Sequence, residues 1–311
     1  MKNTLFAIVS AITASFTAIP ASADWMPEKP ISLVVPYGAG GSTDVFGRVL
    51  AAEMEKQTGW RVLVENRPGA GGAVGTLAVM NAEPDGYTLG VSATGLFTIQ
   101  PYMVDGTPEI EPEKMDYLAT LSIIPFAIVA NSEAPFDNLQ ELADYSQKSG
   151  PVKFASTAKP LAYGMNLMAD DMKIKLVSAA SSGSSESLQL VLGGHADITI
   201  SGGVHVPYIE DGRLKVIAFL DERASYAPDV LTVEEQGTNF PVKNMFMVSA
   251  PKGLPEEAKA AIVAALDKAV MSEPVQAHGD KLYVNIRNLG PDATSEAVMT
   301  QAAFWRDYFR N

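Results

Sequence analysis

The sequence contains no cysteine and only three histidines. Without cysteine the chain can form no disulfide, offers no thiolate to a metal and has no thiol nucleophile. The histidines, His195, His205 and His278, are scattered along the chain. No two of them lie four residues apart on a helix, as in a zinc motif with an intervening glutamate. We therefore expect neither a metal site nor a cofactor.

Positive charge is also scarce, because 23 lysines and arginines face 36 acidic residues and give a net charge of −13. A chain this acidic, with no basic run, is a poor partner for nucleic acid or for an anionic membrane surface. The phosphate-loop pattern is missing because no lysine follows the glycines, and no Gly-x-Ser-x-Gly nucleophile elbow is present. If the protein binds an anion, local geometry must hold it.

Only the N-terminus carries a long apolar run. Lys2 precedes the apolar or small stretch from Leu5 to Ile19, and Ala21-Ser22-Ala23 offers a small-residue cleavage site before Asp24. This pattern predicts a signal peptide over residues 1–23 and export to the periplasm or to the outside of the cell. A retained membrane anchor is the alternative, but the stretch is short for a membrane span.

Elsewhere, short apolar runs rich in branched residues alternate with segments of helical periodicity. The first unit is a strand at Ile31–Val35, a glycine loop and a helix at Asp44–Lys56. The later predicted strands are Arg61–Glu65, Tyr87–Val91, Val152–Thr157, Lys175–Ala180, Ala196–Ser201, Leu214–Leu220 and Met245–Ala250. The later predicted helices are Thr76–Ala82, Leu139–Ser146 with Asp137 or Asn138 as its cap, Met165–Met172, Glu186–Gly194 and Pro255–Val270.

This alternation predicts the α/β class, with two lobes that each hold a mainly parallel sheet flanked by helices. A chain of 311 residues is long enough for two domains. We place residues 24–123 and 243–311 in domain 1 and residues 124–242 in domain 2, with a cleft between them. We expect the protein to be a monomer.

Two glycine loops follow predicted strands and lead into helices: PYGAGGSTD (36–44) and RPGAGGAVG (67–75). The first amides of a helix are free and carry partial positive charge, and ligands bind at this edge of an open sheet. The alternative for each loop is that its glycines only serve the turn. The ligand-binding residues predicted in domain 1 are Tyr37, Gly40, Gly41, Ser42, Thr43, Asp44, Ala70, Gly71, Gly72 and Ser92.

Domain 2 supplies hydroxyl groups at the ends of its predicted strands. Any one of these serines could instead cap a helix. Because the donors are amides and hydroxyls without a cation, a carboxylate suits them better than a phosphate or a dinucleotide. The ligand-binding residues predicted in this domain are Ser156, Thr157, Ser181, Ser182, Gly183 and Ser201.

Several segments, in order along the chain, carry a resemblance to a known family. They are KPISLVVPYGAGGSTDVFGRVLA, VENRPGAGGAVG, PDGYTL, VLGGHAD, DGRLKVIAF, APDVLTVEEQG and SAPKGLP. They resemble the Bug family, the periplasmic solute-binding proteins of tripartite tricarboxylate transporters. The resemblance implies a two-lobed fold like that of type II periplasmic binding proteins. It also implies closure on a small carboxylate held by both glycine loops, partly through water, and delivery to membrane transporter subunits.

The chain departs from this family in domain 2. Ala180 to Gly183 stand where many members have Pro-Tyr-Lys-Gly, and Gly164 to Leu167 stand where many have Ser-x-x-His-Leu. The ligand is therefore left open between a di- or tricarboxylate and an aromatic acid. An exported enzyme or a ligand-sensing receptor component with the same fold are the alternative functions.

Overall fold

The computed structural model describes residues 25–103, 110–123, 126–156, 158–242, 245–281 and 283–310. The predicted signal peptide and Thr157 lie outside the described residues. Within the described ranges, no helix combines the length and the apolar character needed to span a bilayer.

Six strands form the first sheet. Its order is β11-β4-β10-β3-β1-β2, and β1 lies parallel to both β2 and β3. Strand β10 runs antiparallel between β3 and β4. The strands are β1 (Ile31–Val35), β2 (Val62–Asn66), β3 (Thr88–Ala93), β4 (Met115–Ile123), β10 (Met245–Pro251) and β11 (Asn285–Ile286).

Five strands form the second sheet, in the order β7-β6-β8-β5-β9. Strand β6 lies parallel to β7 and β8, while β5 runs antiparallel to β8 and β9. The strands are β5 (Ala127–Asn131), β6 (Val152–Ser156), β7 (Leu176–Ala180), β8 (Ile198–Ser201) and β9 (Leu214–Phe219).

The α/β class with two helix-flanked sheets is confirmed, but the expectation of mainly parallel sheets needs correction. Among the named strands, parallel pairing is confined to those joined by helical crossovers, and β4, β5, β9, β10 and β11 pair with other strands in the antiparallel sense. The sequence could not reveal this, because a strand buried on both faces is a continuous apolar run in either direction.

Ten α-helices cover the sheets of the described chain. The predicted helices are found with shifted ends, and Asn138 caps α4 by accepting from the Glu141 amide at 2.9 Å. The 21-residue helix α10 was not predicted. The helices are α1 (Ser42–Thr58), α2 (Ala73–Met80), α3 (Gly95–Thr98), α4 (Leu139–Ser149), α5 (Lys159–Asp171), α6 (Ser184–Leu192), α7 (Val206–Glu210), α8 (Glu256–Val270), α9 (Glu273–Lys281) and α10 (Gly290–Arg310).

We call the six-stranded sheet with α1 and α2 the first lobe, and the five-stranded sheet with α4 to α7 the second lobe. Strand β1 lies inside the first lobe, with Leu33, Val34 and Val35 fully buried. The loop that follows β1 therefore leaves a rigid strand and enters α1 directly. This arrangement fixes the start of α1 at the edge that faces the second lobe.

Candidate functional site

The first glycine loop, residues 36–44, is organised by the carboxylate of Asp44. This side chain is only 2% exposed. It accepts hydrogen bonds from the Gly40 amide at 2.7 Å, from Asn66 Nδ2 at 2.9 Å and from Arg48 Nε at 3.0 Å. Asn66 Nδ2 also donates to the carbonyl of Tyr37 at 3.0 Å. Asp44 therefore holds both ends of the loop in place.

Asp44 is ionised in this setting. Burial on its own would raise the pKa of the Asp44 carboxyl, but hydrogen bonds from Arg48, Gly40 and Asn66 together hold that pKa below its usual value. The Arg48 guanidinium lies 2.9 Å from Asp44 Oδ1 and offsets the negative charge. The loop can consequently approach an anion without a net negative charge behind it.

The N-terminus of α1 is left with free donors. Gly41 precedes the helix and has no side chain with which to cap it, while the Ser184 hydroxyl of the opposite lobe accepts from the Ser42 amide. The Ser42 side chain is buried, and its Oγ has no hydrogen-bond partner within the described chain. The next residue, Thr43, is 5% exposed. Its amide lies in the first turn of the helix, and amides of the first turn have no hydrogen-bond partner inside the helix. The partial positive charge of the helix N-terminus and the unpartnered Ser42 hydroxyl therefore lie together at the start of α1.

The start of α1 opens into a cavity between the two lobes, with a volume of about 60 Å³. Its polar lining comes from both lobes: Gly41, Ser42, Thr43, Ser156, Ser184 and Ser187. Its larger apolar side chains are Leu96, Phe126, Pro160, Leu161, Ile200 and Phe246, and Tyr37 also lines it. No Asp, Glu, Lys, Arg or His among the described residues lines this cavity.

The lobes touch directly beside the cavity, along a line we call the seam. The Gly38 amide donates to the Ser182 carbonyl at 2.7 Å, and the Ser42 amide donates to Ser184 Oγ at 3.0 Å. Ser182 also donates through its amide and its hydroxyl to Glu186 Oε2, at 2.7 and 2.6 Å. These bonds from Ser182 lower the pKa of Glu186. Ser182 and Gly183 therefore lie at the seam and not in the cavity wall.

The second glycine loop lies apart from this cavity. Ala70, Gly71 and Gly72 line an open groove of about 640 Å³, together with Ser181 and Ser182 among others. Ser156 and Ala158 line both the groove and the cavity, so the two spaces adjoin at the turn between β6 and α5. We expected both loops to surround one ligand. In this structure the first loop lines the cavity and the second loop lines the neighbouring groove.

Gly72 shows why this second loop needs glycine. Its φ is +101°, and a Cβ added there would lie 2.9 Å from Leu96 Cδ2 and 3.0 Å from Tyr37 Cε1. Leu96 and Tyr37 line the cavity. The second loop thus packs on the back of the cavity wall even though its own residues face the groove.

Five of the predicted ligand residues line the cavity and others are placed elsewhere. Ser92 and Ser201 have buried hydroxyls without a partner in the described chain, but neither lines the cavity. Gly40 and Asp44 belong to the loop network and do not line it either. The five that do are Tyr37, Gly41, Ser42, Thr43 and Ser156.

Sequence reasoning missed the apolar wall and Arg48. The apolar wall includes Phe126, Phe246 and Ile200, which lie in or next to buried strands. In the sequence such residues cannot be told apart from those that only fill the hydrophobic core. Arg48 did carry a readable signal, because it follows Asp44 by four residues on one helix face. That spacing predicts an ion pair, which the structure forms.

The histidines do not gather into a site. The described residues contain no cluster of three or more metal-binding side chains. His205 is fully buried, with Nε2 2.6 Å from the Tyr226 hydroxyl. Its Nδ1 accepts from the Gly203 amide at 3.3 Å. Burial lowers the pKa of His205 to about 3, so the ring is neutral and structural.

Comparison with known proteins places this geometry in a family. A sequence model described as "Tripartite tricarboxylate transporter family receptor" matches residues 46–285. A UPF0065 protein of Cupriavidus necator is 34% identical over 79% of this chain and 77% of its own length. The protein BugT of Bordetella pertussis is 33% identical over 81% of this chain and 80% of its own length.

Solved structures agree with that assignment. The periplasmic binding protein BugD superposes with a TM-score of 0.85 at 28% identity, covering 92% of this chain and 98% of BugD. MatC of Rhodopseudomonas palustris, solved with bound malate, gives a TM-score of 0.84 at 26% identity, covering 91% and 100%. The chain belongs to the tripartite tricarboxylate transporter receptor family, the Bug family of periplasmic solute-binding proteins.

Proposed function

We propose that this protein captures a small organic carboxylate in the periplasm and delivers it to the membrane subunits of a tripartite tricarboxylate-type transporter. The lobes would correspond to residues 24–123 with 243–311 and to residues 124–242, acting as a monomer after removal of residues 1–23. The role is binding and not catalysis, in keeping with a family of receptors.

One observation carries the proposal. The start of α1, where Gly41 offers no capping side chain, presents the buried, unpartnered Ser42 hydroxyl and Thr43 to a cavity between the lobes. A buried hydroxyl without a partner is costly, and a carboxylate oxygen would satisfy it. The helix end adds favourable polarity for an anion. Malate bound to MatC supports a carboxylate as the ligand class.

A screen of thermal unfolding against organic acids tests this function. A ligand at one hundred times its dissociation constant stabilises the folded protein by about 2.7 kcal/mol, a shift easily measured. At least one carboxylate should give such a shift, and its amide or alcohol analogue should not. A panel in which no carboxylate stabilises the protein would contradict the proposal.

A matched pair of variants locates the site. Ser42→Ala removes the hydroxyl at the cavity, and Ser122→Ala removes a buried, unpartnered hydroxyl within β4 that does not line it. Ser42→Ala should weaken the ligand about tenfold, the loss of one hydrogen bond to a charged group. Ser122→Ala should leave affinity unchanged. Equal affinities for both variants would move the site elsewhere.

A further inference from the structure

We propose that Gly38 and Gly41 of the first glycine loop serve closure of the lobes, and that Glu186 is a positioning residue for the same step. The proposal rests on the proposed function in one respect, because closure is the step that would enclose the carboxylate. Its basis is what a side chain at each of the two glycines would touch. At both positions the nearest atoms belong to the second lobe.

The backbone gives no reason for glycine at either position. Neither residue has a positive φ, and Gly41 has φ −77° and ψ 167°, an extended conformation that other residues adopt freely. Gly40, between them, has φ +76° and does need glycine for the turn. The turn therefore accounts for Gly40 and leaves Gly38 and Gly41 unexplained.

The second lobe explains both glycines. A Cβ on Gly38 would lie 3.0 Å from Ser182 Oγ and 3.2 Å from the Ser182 carbonyl oxygen, which accepts from the Gly38 amide at 2.7 Å. A Cβ on Gly41 would lie 2.9 Å from Ser184 Oγ. Contacts this short are tighter than nearly all that real Cβ atoms make. Side chains at these positions would hold the two loops apart and weaken the hydrogen bonds of the seam.

A third contact between the lobes involves the second glycine loop. A Cβ on Gly71 would lie 2.8 Å from Lys159 Cγ and 3.1 Å from the Lys159 amide nitrogen, at the start of α5. Gly71 also has φ +69°, so the turn and the contact both require glycine there. Substitution of Gly71 could not separate the two reasons, whereas substitution of Gly38 can.

Glu186 holds the second-lobe residue that Gly38 meets. Its Oε2 accepts from the amide and from the hydroxyl of Ser182, at 2.7 and 2.6 Å. These two bonds orient Ser182 within its own lobe, while its carbonyl accepts from Gly38 across the seam. A contact residue that is ordered before the lobes meet loses less entropy when they close. Glu186 does not line the cavity, so its effect on closure passes through Ser182.

Pulsed electron spin resonance on the protein without ligand tests the proposal. Because the chain has no cysteine, Ala52→Cys on α1 and Ser149→Cys on α4 place one nitroxide label on an exposed position of each lobe. This labelled protein should show the separation expected from the structure and a second separation for an open form. Gly38→Ala should lower the ratio of closed to open molecules about fivefold, which corresponds to the loss of one hydrogen bond of the seam.

Gly90→Ala is the matched control for crowding. Gly90 also lacks a positive φ, and a Cβ there would lie 3.1 Å from Val79 Cγ2, but Val79 belongs to α2 of the same lobe. Gly90→Ala should lower the unfolding temperature and leave the ratio unchanged. A labelled protein without the closed separation, an unchanged ratio in Gly38→Ala, or equal changes in both variants would overturn the proposal. These results need no carboxylate, so they are independent of the thermal screen that tests the proposed function.

Two variants of Glu186 test its positioning role. Glu186→Gln keeps an oxygen that can accept from Ser182, whereas Glu186→Ala removes it. Glu186→Ala should lower the ratio of closed to open molecules as far as Gly38→Ala does, and Glu186→Gln should retain most of the wild-type ratio. If Glu186 only stabilised α6, Glu186→Ala would lower the unfolding temperature without changing the ratio, and that result would overturn the positioning role.

Discussion

Replacing Asp44 with asparagine should destabilise the protein and weaken ligand binding together, although Asp44 does not line the cavity. The carboxylate accepts from Gly40, Asn66 and Arg48 and so ties the first glycine loop to α1 and to the end of β2. Asparagine keeps the shape but removes the charge, and its NH₂ group can only donate. At least one of these three donors must lose its acceptor.

The magnitude follows from burial. Hydrogen bonds to a charged group contribute about 1.5–3 kcal/mol each, and the Asp44 side chain is 2% exposed. The hydrogen bond from Arg48 contributes less free energy than this, because the Arg48 side chain is 50% exposed and screened by solvent. We expect a loss of about 2–4 kcal/mol in the free energy of unfolding.

Urea unfolding at several pH values provides the assay. The pKa of Asp44 is lower in the folded protein than in the unfolded chain, so its contribution is present above about pH 4 and is lost as the pH falls through the folded pKa. The difference between wild type and Asp44→Asn should therefore be constant from pH 5 to 7 and shrink below about pH 4. Asp85→Asn, which removes an exposed ion pair with Lys29, is the control and should cost less than about 1 kcal/mol. Equal losses in the two variants would refute this account of the loop.

Three further outcomes are expected. Gly72→Ala, forced to φ +101° with its Cβ 2.9 Å from Leu96, should cost at least twice what Gly59→Ala costs at φ +75° in open space, by urea unfolding. Ser184→Ala removes the acceptor of the Ser42 amide and should raise the radius of gyration of the unliganded protein in small-angle scattering; an unchanged radius would contradict a role of the seam in closure. His205, with a pKa of about 3, should remain neutral at pH 5 by NMR, and because the unfolded chain takes up its proton near pH 6.5, stability should fall as the pH drops from 6.5 towards 3. A His205 signal that titrates near 6.5 would contradict this burial.

The sequence reveals where the helices and strands lie better than it reveals whether the strands pair in the parallel or the antiparallel sense. Branched apolar runs located eight of the eleven described strands because burial demands that composition, whereas β4, β5 and β11 were not predicted. Pairing sense depends on where the chain re-enters a sheet, and β10 returns to the first lobe between β3 and β4 without a helical crossover from either. Helix α10 escaped prediction, although Val298, Ala302 and Trp305 bury one face at helical spacing.

The candidate site was predictable where chemistry is local to a motif. PYGAGGSTD places the donors at one helix start, and their position at the end of β1 follows from the alternation of strand and helix. The apolar wall was not predictable, since Phe126 and Phe246 belong to segments far apart in sequence that meet only when the lobes do. The roles of Ser182 and Gly183 also depend on that meeting, because their contact is with Gly38 of the other lobe.

The start of α1 links closure of the lobes to the proposed capture of the ligand, because one of its amides is used by the opposite lobe. An open form would return the Gly38 and Ser42 amides to water, so each seam hydrogen bond adds only about 0.5–1.5 kcal/mol to closure. A contribution of this size makes the closed state accessible without locking it. A carboxylate that satisfies the Ser42 hydroxyl, as proposed, would bind the closed form better than the open form and would shift the population towards it. Under the proposed function, Ser182 and Ser184 at the seam should therefore tune the affinity for the ligand, as should the residues that line the cavity.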